Sequence, residues 1–224
     1  MTDTAYETLC TMMSKERMEN RTKLNGMRVD AVALEFWDIK AAAAFYAPLR
    51  CMEMTLRNAI DEAMRAGTRR SDWWNETALL KPGSQRLVTN ALAALSEQGL
   101  VCPKPGQVVA QLSLGFWVSL VSRRYNQTLW VPFLHQAFPY LDTPRKGLHQ
   151  RLEELRRLRN RISHQERIYQ RDLAVDYERL TSVMRYLHPP SIEAMRSLDR
   201  VPEVIAEWLS FRRSGQFHTP RQRG

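Results

Sequence analysis

The chain has 224 residues, 44% of them hydrophobic and 25% charged, with a formal net charge of +9. That length suits one large helical domain or two small ones, and the composition suits a packed core with a solvated surface. No apolar run nears the roughly 18 residues that would span a bilayer, and Met1 to Tyr6 hold no basic patch followed by an apolar stretch, so neither a membrane span nor a secretory leader is expected.

Residues 1–29 read as an N-terminal extension. From Asp30 to Met64 the chain is rich in Ala, Leu and Met, and Ala41, Ala44, Phe45, Leu49, Met52, Leu56, Ala59, Ile60 and Ala63 follow the three-and-four spacing of an amphipathic helix. Pro48 predicts a kink or a break between two helices there, and Gly67 is the candidate C-cap at its end. Trp73-Trp74 reads as a packed helix start. Pro82 to Gly99 predicts a second helix closed by Gly99, followed by a turn at Pro103-Lys104-Pro105-Gly106. Gln107 to Asn126 is apolar enough to be buried, with Phe116 and Trp117 in the core and Gly115 allowing helices to approach closely. A short helical piece is predicted from Leu129 to Phe138.

Thr143-Pro144 opens a long helix, with Thr143 as N-cap and Pro144 at the first helical position, running to about Tyr169. A further helix covers Arg171 to Leu187 and stops at His188-Pro189-Pro190. Ser191 caps a short helix to Leu198, and Pro202 opens a last one to about Arg213. No alternating pattern argues for a sheet, so the expected class is all-α, with a single domain over 30–213 and a disordered basic tail over 214–224. Cys10, Cys51 and Cys102 are odd in number and form no CxxC pair, which suits reduced thiols in a cytoplasm.

The charge is uneven. Arg145 to Gly224 hold 17 Lys and Arg against 10 Asp and Glu, a net +7 of the total +9. A basic surface of this kind favours polyanions, nucleic acid first.

Inside the long helix lies Arg159-Asn160-Arg161-Ile162-Ser163-His164. Leu148, Leu152, Leu155, Leu158 and Ile162 form its apolar stripe. Arg156, Asn160 and His164, four apart, share another face, with Arg159 one step away. An imidazole exchanges protons near neutrality, a guanidinium binds phosphate bidentately, and an amide can orient either group. RNA carries its own nucleophile, the ribose 2′-hydroxyl. Arg159, Asn160 and His164 are therefore sufficient for metal-free cleavage to a 2′,3′-cyclic phosphate, and DNA should resist. The competing reading makes His164 a surface histidine and pairs Arg159 with a carboxylate such as Glu154. Arg159 and His164 point about 140° apart on an ideal helix, which favours a site composed from two copies of the chain.

Leu158 to Arg167 resembles the R-x4-6-H signature of HEPN-domain ribonucleases, in particular the Abi-like abortive-infection family. Glu53-Met54-Thr55-Leu56-Arg57-Asn58-Ala59-Ile60 resembles that family's early helix, and Leu112-Ser113-Leu114-Gly115-Phe116-Trp117-Val118-Ser119-Leu120 its Gly-Phe-Trp segment, with Tyr125 and Leu129-Trp130 following. The similarity spans roughly residues 30 to 190. Ile162-Ser163 before the histidine and Gln165-Glu166 after it depart from the family's usual pattern. The resemblance implies a HEPN-type helical bundle with additional helices, a homodimer, and RNA cleavage by a growth-arresting toxin in phage defence, with an antitoxin or regulatory protein as a possible partner. The alternative is a non-catalytic HEPN protein that binds RNA or only dimerises.

Arg156, Arg161 and Arg167 are the candidate RNA-binding cations, and Glu53, Arg57 and Asn58 the candidate supports. Glu53 and Arg57 also suit a plain i,i+4 ion pair, the favoured reading on spacing alone. Arg212, Arg213, Arg221 and Arg223 offer further charge near the C-terminus. His135, His149, His188 and His218 have no zinc-like spacing, so no metal and no cofactor are expected.

Overall fold

A computed structural model describes residues 8, 11–12, 23–24, 27–28, 31–76 and 78–214. The class is all-α, as the periodicity predicts. The helices are α1 (Ala31–Thr68), α2 (Pro82–Glu97), α3 (Pro105–Gln111), α4 (Leu114–Leu120), α5 (Arg145–Ser163), α6 (Leu173–Leu187), α7 (Pro190–Met195) and α8 (Val201–Ser214). Extended pairing among the described residues is limited to Lys23–Leu24 against Met27–Arg28, antiparallel in register Lys23↔Arg28. The sequence between these strands, Asn25-Gly26, is the dipeptide common in two-residue hairpin turns. The predicted basic tail beyond Ser214, with Arg221, Arg223 and His218, lies outside the described residues, as does Cys10.

Helix α1 is the spine. At 38 residues it is roughly 57 Å long at 1.5 Å per residue. Helices α5, α6, α8 and α4 pack against it, and the buried apolar side chains from Leu34 to Phe211 form one cluster. Of the kink or break expected at Pro48, the break does not occur: one helix runs through it. An interior proline costs ~3 kcal/mol. Here Ala41, Ala44, Phe45, Leu49 and Met52 are all buried on both sides of it, and at ~1.5–3 kcal/mol for each large apolar side chain their packing outweighs that loss.

Gly67 is not the cap. It lies inside α1, where a Cβ would collide with the ring of Phe133, and Arg69, at φ 56°, takes the left-handed turn instead. The glycine is needed for close approach of a neighbour, not for backbone reversal. Gly99, at φ 84°, does close α2 as expected. Gly115 departs from expectation in the opposite way: a Cβ there would meet only ordinary contacts, 3.7 Å from Arg156 Cδ and from Ser113 Oγ. Phe116 and Trp117 are fully buried, and Trp117 packs with Trp73 at 6.3 Å between ring centroids. Trp73–Asn75 is a 3-10 turn rather than a helix start. The piece predicted over Leu129 to Phe138 is divided into a π turn (Asn126–Trp130) and a 3-10 turn (Leu134–Ala137).

Candidate functional site

The site rests on how α5 is held and how it ends. Leu148, Leu152, Leu155 and Leu158 are all completely buried, so the predicted stripe fixes the rotation of the helix. Charge fixes it against α6. Arg171 grips Asp176 with both arms (2.6 Å and 2.9 Å), Arg179 Nη1 adds 2.8 Å to the same carboxylate, and Arg171 also donates to Glu154 at 3.1 Å. Glu154 in turn accepts from Arg157 at 2.7 Å. Burial pushes the Glu154 carboxyl up, but the Arg171 hydrogen bond and the field of Arg157, Arg171 and Arg179 outweigh it and hold it below the usual range.

The start of α5 is shifted by one residue from expectation. Gly147 N–H and Leu148 N–H both bond to the Pro144 carbonyl, at 2.8 Å and 3.3 Å, which makes Pro144 the N-cap and Arg145 the first helical residue. Thr143 is not the cap.

The other end departs further. The helix stops at Ser163, not near Tyr169. Gln165 adopts φ 56°, Glu166 N–H bonds to Arg161 C=O at 2.8 Å, and Gln165 N–H bonds to Ile162 C=O at 3.2 Å. These are the two bonds of a Schellman ending, built with glutamine where glycine is usual. Beyond it, the buried Asp38 of α1 accepts from Ile168 N–H (3.0 Å) and Tyr169 N–H (2.8 Å), and Ile168 is fully buried. No glycine or proline marks the stop, so it was invisible in the sequence. Tertiary bonds to Asp38 replace the helical bonds that the Ile168 and Tyr169 N–H groups would otherwise make.

His164 is therefore the C-cap residue of α5, with φ −95°. It is exposed. Among the described residues the side chains of His164 and Asn160 make no hydrogen bond or ion pair, and Asn160 is half-buried one turn below. Arg159 is 42% exposed and its Nε lies 3.6 Å from Glu53 Oε2 on α1. Thus Glu53 pairs with Arg159 rather than with Arg57, against the i,i+4 reading, and Arg159 pairs with Glu53 rather than with Glu154. The early-helix segment and the motif are brought together by packing of α1 on α5.

The remaining candidates divide. Arg156 is paired within its own helix, donating through Nε to Glu153 at 2.9 Å. Arg161 donates through Nη1 to the Arg167 carbonyl at 3.0 Å and lies 3.9 Å from Glu166, so it braces the segment after His164. Arg167 is half-buried in that segment. Arg57 keeps its Nε shielded from solvent with no hydrogen-bond partner. Asn58 lines a cavity with Asp61, Glu62 and Arg65; neither Arg57 nor Asn58 forms a hydrogen bond or ion pair with the motif. Asp38 carries no motif in the sequence: with Glu35 it is one of two acids in an apolar helix start, and both are buried.

Among the described residues, no three His, Cys, Asp or Glu side chains are grouped to hold a metal ion, and no helix is long and apolar enough to cross a membrane. The chain matches no family model, no curated protein and no solved structure.

Proposed function

We propose that this chain is a metal-independent endoribonuclease of the HEPN type, of Abi-like character, acting in the cytoplasm as a growth-arresting toxin in phage defence. The observation that carries the reading is the pairing of an anchored, half-exposed Arg159 with unpartnered Asn160 and His164 side chains at the exposed end of a rigid helix. Arg159 binds the scissile phosphate and offsets charge that builds on it in the transition state. A histidine takes the proton from the ribose 2′-hydroxyl, whose oxygen attacks phosphorus. The 5′-oxygen leaves with a proton from a second acid, giving a 2′,3′-cyclic phosphate. Asn160 orients the phosphate or the imidazole.

One His164 per chain supplies either the base or the acid. A homodimer with facing motifs supplies both. Phe36, Ile39, Tyr46 and Met54 are exposed apolar side chains along α1, the helix that also carries Glu53, and this supports a second copy as the partner of that face. An antitoxin or regulatory protein is a further expected partner.

The test is purified protein on single-stranded RNA in EDTA, with DNA as control. Cleavage leaving cyclic phosphate ends is expected, with a loss of about 10²–10⁴-fold in His164→Ala, the range for removal of a general acid–base. Arg159→Ala should behave alike, and Arg159→Lys should restore little because a point charge does not reproduce the fork. A fully active His164→Ala protein would remove the catalytic assignment. The second reading is a non-catalytic RNA-binding protein, favoured by the engagement of Arg156 and Arg161 in contacts of their own. RNA binding without cleavage by a dimer would establish it.

A further inference from the structure

A second basic centre lies toward the opposite end of α5 from His164. A cavity of about 1120 Å³ opens where the turn after α4 meets the first turns of α5. Arg123, Arg124, Arg145 and Lys146 line it, with His149 and one carboxylate, Glu153. That carboxylate is already engaged, 2.9 Å from Arg156 Nη2 and 3.8 Å from His149 Nε2. The cations therefore outnumber the acid by three.

The lining is built rather than incidental. Arg145 is fixed across the corner, donating from Nε to Asn126 Oδ1 at 3.0 Å and from Nη1 to the Val121 carbonyl at 2.6 Å. Arg124 is held over the ring of Tyr125, 5.2 Å from its centroid. Arg123 and Lys146 are exposed, and among the described residues their side chains form no hydrogen bond or ion pair. In the same lining, the Ser122 hydroxyl is shielded from solvent without a hydrogen-bond partner. The first turn of α5 holds no acidic residue, so nothing there opposes the positive end of the helix. The field is felt inside the cavity: burial, together with Arg145 and Arg124, lowers the His149 pKa against the pull of Glu153.

The geometry points to a phosphate-binding site in this cavity, one that takes a group of about three negative charges and recognises it without its base. No Phe, Tyr or Trp side chain lines the cavity, so the broad rings that usually stack a nucleobase are absent from its lining. Three successive phosphodiesters carry that charge, and a triphosphate, whose terminal phosphate is further ionised near neutrality, slightly exceeds it. The sources are a free nucleoside triphosphate or a nucleic-acid backbone. In the second case, His149 and His164 are roughly 22 Å apart along the helix, at 1.5 Å per residue, and the cavity would anchor the strand remote from the motif.

Calorimetric titration of the full chain at about 0.1 M salt tests this with three probes: tripolyphosphate, a nucleoside triphosphate, and single-stranded RNA with a 5′-hydroxyl. The comparison protein is the double variant Arg123→Ala/Lys146→Ala, which removes two cations that support no other contact; its thermal unfolding serves as the fold control. At least a tenfold loss of affinity is expected in the double variant for the probes that bind. Loss confined to tripolyphosphate and the nucleotide identifies free nucleotide as the source. Loss extending to RNA, with a log–log salt slope shallower by about 1.4 for two phosphate contacts at ~0.7 each, identifies the backbone. No binding of any probe, or equal binding by parent and double variant, overturns the proposal. Tripolyphosphate binding by His164→Ala should match the parent's, and cleavage by Arg123→Ala/Lys146→Ala is read on its own, so this site and the nuclease assignment stand or fall separately.

Discussion

Two stretches of α5 use the same residue types to opposite ends. In its middle, Glu154 and Arg157 join Arg171, Asp176 and Arg179 in a closed network in which Asp176 is 1% exposed and every carboxylate has a guanidinium partner. At its C-terminal end, Arg159 keeps one long contact to Glu53, and Asn160 and His164 keep none among the described residues. The middle is satisfied and holds the fold. The end is anchored from below by Leu155 and Leu158 and from behind by Asp38, but its polar groups are left available. Polar groups without partners tolerate exposure at little cost, whereas inside the protein they would have to be paired. Availability at the helix end is thus compatible with stability, and it is where chemistry is to be sought.

The comparison predicts a separation of stability from activity. The largest stability effect is expected for Asp176→Ala, which strands Arg171 and Arg179 beside a buried gap; breaking such a pair costs about 3–5 kcal/mol, measurable by urea unfolding. His164→Ala should change stability by no more than about 0.5 kcal/mol, as for an exposed site without partners. If the two variants unfolded alike, the division of α5 into a structural middle and an available end would be wrong.

An intermediate effect is expected for Asp38→Ala. It leaves the buried N–H groups of Ile168 and Tyr169 without their acceptor, at about 1–3 kcal/mol, and it unties the segment that follows His164. RNA cleavage should fall with it, and Asp38→Asn, which keeps an acceptor oxygen, should recover most of both. Unchanged amide exchange at Ile168 and Tyr169 in Asp38→Ala would show that the helix end does not depend on that anchor.

A smaller effect is expected for Glu53→Gln. A part-exposed ion pair contributes about 0.2–1 kcal/mol, so unfolding should shift little, while KM for RNA should change because Arg159 loses its tether. An unchanged KM would reduce Glu53 to a bystander. The smallest effect concerns pH. The folded His149 pKa lies below its ordinary 6.5, because of burial and the charges of Arg145 and Arg124. The unfolded chain then binds the proton first as pH falls, so the stability associated with neutral His149 is complete above about 6.5 and declines below it, levelling off under the folded value. His149→Asn should flatten that decline in thermal unfolding measured between neutral and mildly acidic pH.

The all-α class, the leucine stripe of α5, the buried Phe116-Trp117 pair and the glycine that ends α2 were all legible in the sequence, because each is a local matter of periodicity, side-chain size or backbone freedom. So was the composition of the Arg159–His164 stretch. What tertiary structure alone decided was which of these residues have partners. Pro48 is carried through α1 because burial on both sides outweighs its missing hydrogen bond. Gly67 accommodates Phe133, far along the chain. Glu53 turns to Arg159 rather than to the arginine one turn away on its own helix. The end of α5 is set by Asp38, more than a hundred residues earlier. A spacing rule sees only neighbours within a few residues, and a carboxylate or a buried N–H group bonds to whichever partner packing brings within 3 Å or so.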